Sequence, residues 1–175
     1  MVLVAHSFSG VLVPAVVERL GRRVAAVVLV GAAVPKDGKG WVDLLPAPQR
    51  LLLRLLYRLR PGGALSPAGQ NRNALCNDLD EETTALVLQR RVPEAPRLLL
   101  DPVTPAALPA ALPCHYLRLT EDRSITDEAR RRMIERLPSV QVHDFPSGHL
   151  PMLGRPGELA AFLEGIAAGC ERSDG

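Results

Sequence analysis

Residues 2–10 read Val2-Leu3-Val4-Ala5-His6-Ser7-Phe8-Ser9-Gly10, and this stretch decides the fold. A short β-branched run ends in small-x-Ser-x-small and gives way to the amphipathic segment 11–20. Such a pattern describes a strand that turns sharply, presents a serine at the turn and starts a helix. Ala5 and Ser9 stand two positions to either side of Ser7, where a strained turn admits only small side chains. Residues 2–5 are continuously apolar, as expected of a parallel strand covered on both faces. Residues 9–20 read as a helix closed by Gly21, with Pro14 tolerated only near its first turn. Residues 25–30 form a second buried strand, ended by Gly31 and Pro35. Strand, helix and strand within about 30 residues make one right-handed βαβ unit.

The totals narrow the function classes. At 175 residues, 47% hydrophobic and 23% charged, the chain is one globular domain with room for a sizeable core. A net charge of +2 and the absence of a basic patch interleaved with aromatics argue against a nucleic-acid partner. Cys76, Cys114 and Cys170 are odd in number, widely spaced and form no CxxC, so neither a disulfide framework nor a metal site is expected. A reducing cytoplasm is the corresponding expectation. The longest apolar stretch, residues 24–34, is too short to span a bilayer.

From Lys36 to about Leu112 the strand signals stop and prolines gather at 46, 48, 61, 93, 96, 102 and 105. Two helices are predicted, over 48–60 and 80–91. In the first, Arg50, Arg54 and Arg58 form one stripe and Leu52, Leu55, Leu56 and Leu59 the other. The leucines are expected to pack on the domain and the arginines to face water, with no stable membrane association. Residues 36–112 thus read as a helical cap insertion over the carboxyl edge of the sheet. The α/β pattern then resumes, with a strand over 115–119 and a helix from Thr126 to Leu137 that has Asp127 and Glu128 in its first turn. A strand over 140–145 and a closing helix over 156–168 with proline at its start complete the pattern.

Ser7 becomes a nucleophile only with a base, and the base needs an orienting acid. Asp122 follows the strand at 115–119, and His149 follows the strand at 140–145 in Pro-Ser-Gly-His-Leu-Pro-Met. Both candidates fall at carboxyl ends of strands, where open α/β sheets place their sites. Asp144 lies within a strand and Asp127 in a helix first turn, so each has a structural explanation. His6, next to Ser7 in extended chain, is expected to pack or hydrogen-bond rather than react. His115 and His143 are expected to be structural. Trp41, Leu52, Leu56, Tyr57, Leu150 and Met152 are candidates for a substrate pocket, and ordinary core burial explains them equally well.

These pieces resemble the α/β-hydrolase superfamily, in its branch of small esterases that includes plant methylesterases and hydroxynitrile lyases. The resemblance rests on residues 5–10, on Ala32-Ala33-Val34-Pro35, on Asn77-Asp78, on Glu121-Asp122 before Ile125, and on Gly148-His149-Leu150-Pro151-Met152. It implies a fold made of a parallel sheet flanked by helices with a helical cap. It also implies Ser7 as nucleophile, Asp122 as acid, His149 as base and the Phe8 N–H as one oxyanion donor. The implied reaction is cofactor-free hydrolysis of a small-molecule carboxylic ester through an acyl-enzyme. Ala5 and Ser9 stand where the family has glycines. The family's opening strand and His-Gly loop, which carry a second oxyanion donor, are not in the sequence, so the chain is expected to correspond to the fold without its N-terminal third. Leu150 stands where hydroxynitrile lyases carry a lysine. A catalytically inactive remnant or interaction domain, and a lyase or C–C bond hydrolase on the same scaffold, remain as alternatives; oligomeric state is left open.

Overall fold

A computed structural model describes residues 1–173 apart from 37, 61, 63–67, 104–107 and 138. Four strands, β1 (Val2–His6), β2 (Ala26–Val30), β3 (Cys114–Leu119) and β4 (Val140–Phe145), form one parallel sheet in the order β1-β2-β3-β4. The register sets His6 beside Val30 and Leu119 beside Phe145, so the carboxyl ends of neighbouring strands come out along one edge.

The residues of β2 are all buried, and their alternation divides the core into two layers. Val27 and Leu29 pack with Ala5, Val13, Val17 and Tyr116 on one face, joined by Ile134. Val28 and Val30 pack with Leu117, Leu119, Phe145 and Leu159 on the other, joined by Phe162 and Ile166. Helices α1 (Val13–Leu20) and α6 (Asp127–Ile134) cover the first face, and α8 (Pro156–Ser173) covers the second. β1 departs from the expectation of a strand covered on both faces. It lies at the edge of the sheet, and Val4 is 45% exposed.

The helix read over 9–20 begins instead as a 3₁₀ turn, Ser7–Leu12, before α1. Pro14 explains the boundary: it sits in the first turn of α1, where its missing N–H has no intrahelical partner to lose. Gly21 closes the helix at φ +52. Thr126 caps α6, its hydroxyl accepting from the Ala129 N–H at 3.2 Å.

Between β2 and β3 the described residues contribute helices α2 (Ala47–Leu59), α3 (Ala68–Leu75), α4 (Glu81–Gln89) and α5 (Pro96–Leu100), and a 3₁₀ turn at Trp41–Leu44. Pro61 and Pro105 lie outside the described residues. Asp80 caps α4 through the Thr83 N–H at 2.7 Å. The predicted leucine stripe of α2 is corrected by the structure. Leu53, Leu56 and Tyr57, at i, i+3 and i+4, face inward onto Phe8, Trp41 and Leu99, whereas Leu52, Leu55 and Leu59 are exposed. The aromatic contacts choose the inward face, and Arg54 turns to Asp43 at 3.0 Å. Among the described residues no helix is long and apolar enough to cross a membrane.

Candidate active site

The first carboxyl end along the sheet edge is that of β1, where the chain turns at Ser7. Ser7 has φ +52, a left-handed conformation that costs a non-glycine residue roughly 1–2 kcal/mol. Surrounding contacts hold it there. The Ala33 N–H donates to the Ser7 carbonyl at 2.8 Å, and the Ser9 hydroxyl donates to the His6 carbonyl at 2.7 Å. Serine in the place of a second small residue therefore has a function of its own in the turn. Gly10 packs against Ala32 and Ala33 so closely that a Cβ would lie 2.5 Å from the Ala33 carbonyl oxygen.

Across this turn stands His149, its Nε2 2.8 Å from Ser7 Oγ. Its Nδ1 lies 3.0 Å from Asp122 Oδ2. A carboxylate only accepts, so Nδ1 carries the proton and Nε2 of the neutral ring is left to accept from the Ser7 hydroxyl. Asp122 and His149 are buried. Burial by itself pushes the Asp122 carboxyl up, but the hydrogen bond and charge of His149 and the Ser124 N–H outweigh it and hold the carboxyl below its ordinary value. The Ser124 N–H donates to Asp122 Oδ1 at 2.7 Å.

Two further groups brace Asp122 and His149. Ser124 Oγ lies 3.0 Å from His149 Nδ1, sharing that proton with Asp122. Arg130, buried on α6, donates from Nη2 to the Asp122 carbonyl at 2.8 Å and pairs with Asp127. His6 Nε2 lies 2.7 Å from the His149 carbonyl, so the neighbour of the serine hydrogen-bonds as expected. His115 and His143 pair with each other at 3.1 Å on β3 and β4, away from Ser7. Asp144 is held by Arg118 at 2.5 Å.

The candidate pocket residues separate into groups. Trp41, Leu56 and Tyr57 gather around Phe8, the residue after the serine, together with Leu53, Leu99 and Leu100. Leu52 is 65% exposed and outside that cluster. Leu150 and Met152 follow His149 at the start of α7 (Pro151–Gly154), with Met152 partly exposed. Ser124 and Leu53 are not marked in the sequence: a hydroxyl two residues past an acidic residue and one leucine among the six of α2 carry no distinctive local signal.

The sequence profile of the alpha/beta hydrolase family matches residues 2–162. The chain belongs to that family. Solved structures of similar fold agree with a partial α/β-hydrolase architecture. One is an extracellular α/β-hydrolase from a Paenibacillus species, described as sharing structural and functional homology with tobacco salicylic acid binding protein 2. It is 21% identical, with a TM-score of 0.83 over 93% of this chain and 70% of that one. The methylesterase MES16 from Arabidopsis is 18% identical, with a TM-score of 0.70 over 96% of this chain and 69% of that one. A pyrethroid hydrolase from Sphingobium faniae is 20% identical, with a TM-score of 0.63 over 97% of this chain and 70% of that one. No curated protein matches the sequence.

Proposed function

We propose that this α/β-hydrolase is a cofactor-free serine esterase acting on a small carboxylic ester, with Ser7, His149 and Asp122 as nucleophile, base and acid. The observation that carries this reading is the unbroken hydrogen-bonded chain from Ser7 Oγ through the imidazole to the Asp122 carboxylate. His149 Nε2 takes the hydroxyl proton as Ser7 Oγ forms its bond to the ester carbonyl carbon, and Asp122 stabilises the imidazolium so formed. The carbonyl oxygen becomes an oxyanion. The Phe8 N–H lies in the first turn after the strand, where amides lack intrahelical acceptors, and supplies one donor to it. The ester C–O bond then breaks and the alcohol leaves with the proton from His149. Water, deprotonated by the same imidazole, releases the acid and restores Ser7.

Trp41, Leu56 and Tyr57 around Phe8 would line the apolar side of the substrate site. Leu150, an apolar residue directly after the base, supports hydrolysis over cyanohydrin cleavage, a reaction for which the related lyases carry lysine there. The buried free thiols of Cys76 and Cys114, the latter pushed up to about 11 by burial, support a cytoplasmic setting in which cysteine is a packing residue. The test is treatment with a fluorophosphonate probe and short-chain p-nitrophenyl esters. Labelling at Ser7, with turnover abolished by Ser7→Ala, is the expected result; a parent protein unlabelled at Ser7 overturns the assignment.

A further inference from the structure

The loop between α3 and α4 brings Asn77 and Asp78 down from the helical segment onto the carboxyl edge of the sheet. Asp78 Oδ2 accepts the Gly148 N–H at 2.6 Å and the Ser147 hydroxyl at 3.2 Å. Asn77 Nδ2 donates to the Glu121 carbonyl at 3.0 Å. Gly148 immediately precedes His149, and Glu121 immediately precedes Asp122. Two consecutive residues thus grip the main chain one position before the base and one position before the acid.

The fit around the carboxylate is close. A Cβ on Gly148 would overlap Asp78 Oδ1 and lie 3.0 Å from Asn77 Oδ1, and one on Gly154 would lie 3.3 Å from Asp78 Oδ2. Ser147 is fully buried. On the other side of the same loop, His6 donates to the His149 carbonyl, so the base is clasped between the helical segment and the sheet. Asp78 Oδ1 and Asn77 Oδ1 are buried without a hydrogen-bond partner among the described residues. A half-partnered carboxylate in such a place costs stability, and a well-packed apolar contact would hold the loop at less cost. Its two directed hydrogen bonds instead fix where the loop stands.

We propose that Asn77 and Asp78 are positioning residues that set the separation of the base and acid loops, so that His149 is competent only when the helical segment is seated on the sheet. This inference rests on the reading of Ser7, His149 and Asp122 as a triad. The effect required is small in distance and large in rate, because a misplacement of about 1 Å in a reacting group costs on the order of 10²-fold.

The test counts active sites with the fluorophosphonate probe and measures kcat and KM per titrated site on a p-nitrophenyl ester. For Asp78→Ala, kcat per site is expected to fall roughly 10–100-fold with KM within about threefold of the parent. Asp78→Asn keeps a carbonyl oxygen for the Gly148 N–H, and is expected to recover most of that loss. A residue that merely holds the fold together would reduce the number of titrated sites and leave kcat per site unchanged; that result overturns the proposal. Should Asp78→Ala give no folded protein, Asp78→Glu decides in its place. Its extra methylene has no room beside Gly148, so reduced kcat per site supports the positioning role and parent kcat per site refutes it. A parent that fails to label at Ser7 overturns the triad reading and this inference with it. A parent that labels, beside variants of unchanged kcat per site, overturns the positioning role alone.

Discussion

His6 Nε2 lies 2.7 Å from the carbonyl oxygen of His149, joining the strand that leads into Ser7 to the loop that carries His149. A carbonyl only accepts, so the His6 proton is on Nε2. Burial pushes the ring's pKa down, against a smaller upward pull from this hydrogen bond, and the neutral form is the one the fold retains. His6→Phe keeps a ring 5.0 Å from the His149 ring but leaves the carbonyl without a donor. The expected cost is about 1 kcal/mol, because the site is only partly buried, and a loss of roughly 2–4 °C in Tm. Calorimetry checks it; an unchanged Tm would show that solvent replaces the imidazole without loss.

Two acceptors share the His149 Nδ1 proton, and they differ in charge. Asp122 is a buried carboxylate that also receives the Ser124 N–H; Ser124 offers a neutral hydroxyl at the same distance of 3.0 Å. In the proposed reaction, stabilising the imidazolium requires the negative group. Asp122→Asn is expected to lower kcat by about 10⁴-fold while leaving the local packing in place. Ser124→Ala keeps the backbone donor to Asp122 and is expected to lower kcat by less than about tenfold, the effect of a modest hydrogen bond. Ester turnover by the two variants separates them, and comparable losses would make Ser124 an equal orienting partner.

Gly10 and Gly21 test two different reasons for glycine. A Cβ on Gly10 would meet the Ala33 carbonyl oxygen at 2.5 Å and the Ala32 Cβ at 2.9 Å, with no flexible side chain able to yield. Gly21 has φ +52 and open space around it. Gly10→Ala is expected to cost about 1–3 kcal/mol through overpacking. It also pushes on Ala33, whose N–H holds the Ser7 carbonyl, so turnover should fall as well. Gly21→Ala carries only the backbone penalty of its φ +52, ψ −132 conformation, roughly 1–3 kcal/mol, and is expected to keep parent kcat per titrated site. Parallel melts and ester assays of the two variants decide the matter.

The legibility of this fold in its sequence followed the range of the interactions. Residues 2–10 announced the turn because the strand, the small neighbours and the following helix are contiguous. Asp122 and His149 were identifiable as candidates because each follows an apolar strand by a few residues, and parallel strands in register deliver their loops to one edge. The grip of Asp78 on Gly148 spans 70 residues and leaves no trace in local periodicity. The inward face of α2 is ambiguous in sequence for a related reason. Its pattern of leucines and arginines permits two rotations, and Trp41 and Phe8, distant in sequence, select one. Helix α3 leaves no periodic signal because Ala68–Leu75 carries no apolar stripe.

His115 on β3 and His143 on β4 face each other at 3.1 Å, with the His143 ring edge-on to Phe162 of α8 at 5.0 Å. Burial lowers the His115 pKa below its ordinary value of 6.5, and the neighbouring His143 lowers it further. The folded state therefore keeps His115 neutral at pH values where the unfolded chain has already taken up a proton. In that interval the unfolded state binds more protons, so stability falls as pH falls from about 6.5 toward the depressed value, and is complete above about 6.5. His6, lowered in the same direction, adds to the slope. Asp122, held below its ordinary carboxyl value, contributes stability that is lost only at pH below about 4, outside this interval. His115→Gln removes one titrating group while retaining a polar side chain for His143. Its stability is expected to decline less steeply than the parent's between pH 6.5 and 5, by up to about 1.4 kcal/mol per pH unit. Denaturant titrations at a series of pH values measure both slopes, and equal slopes would show that the pair takes up its proton in the folded state as readily as in the unfolded chain.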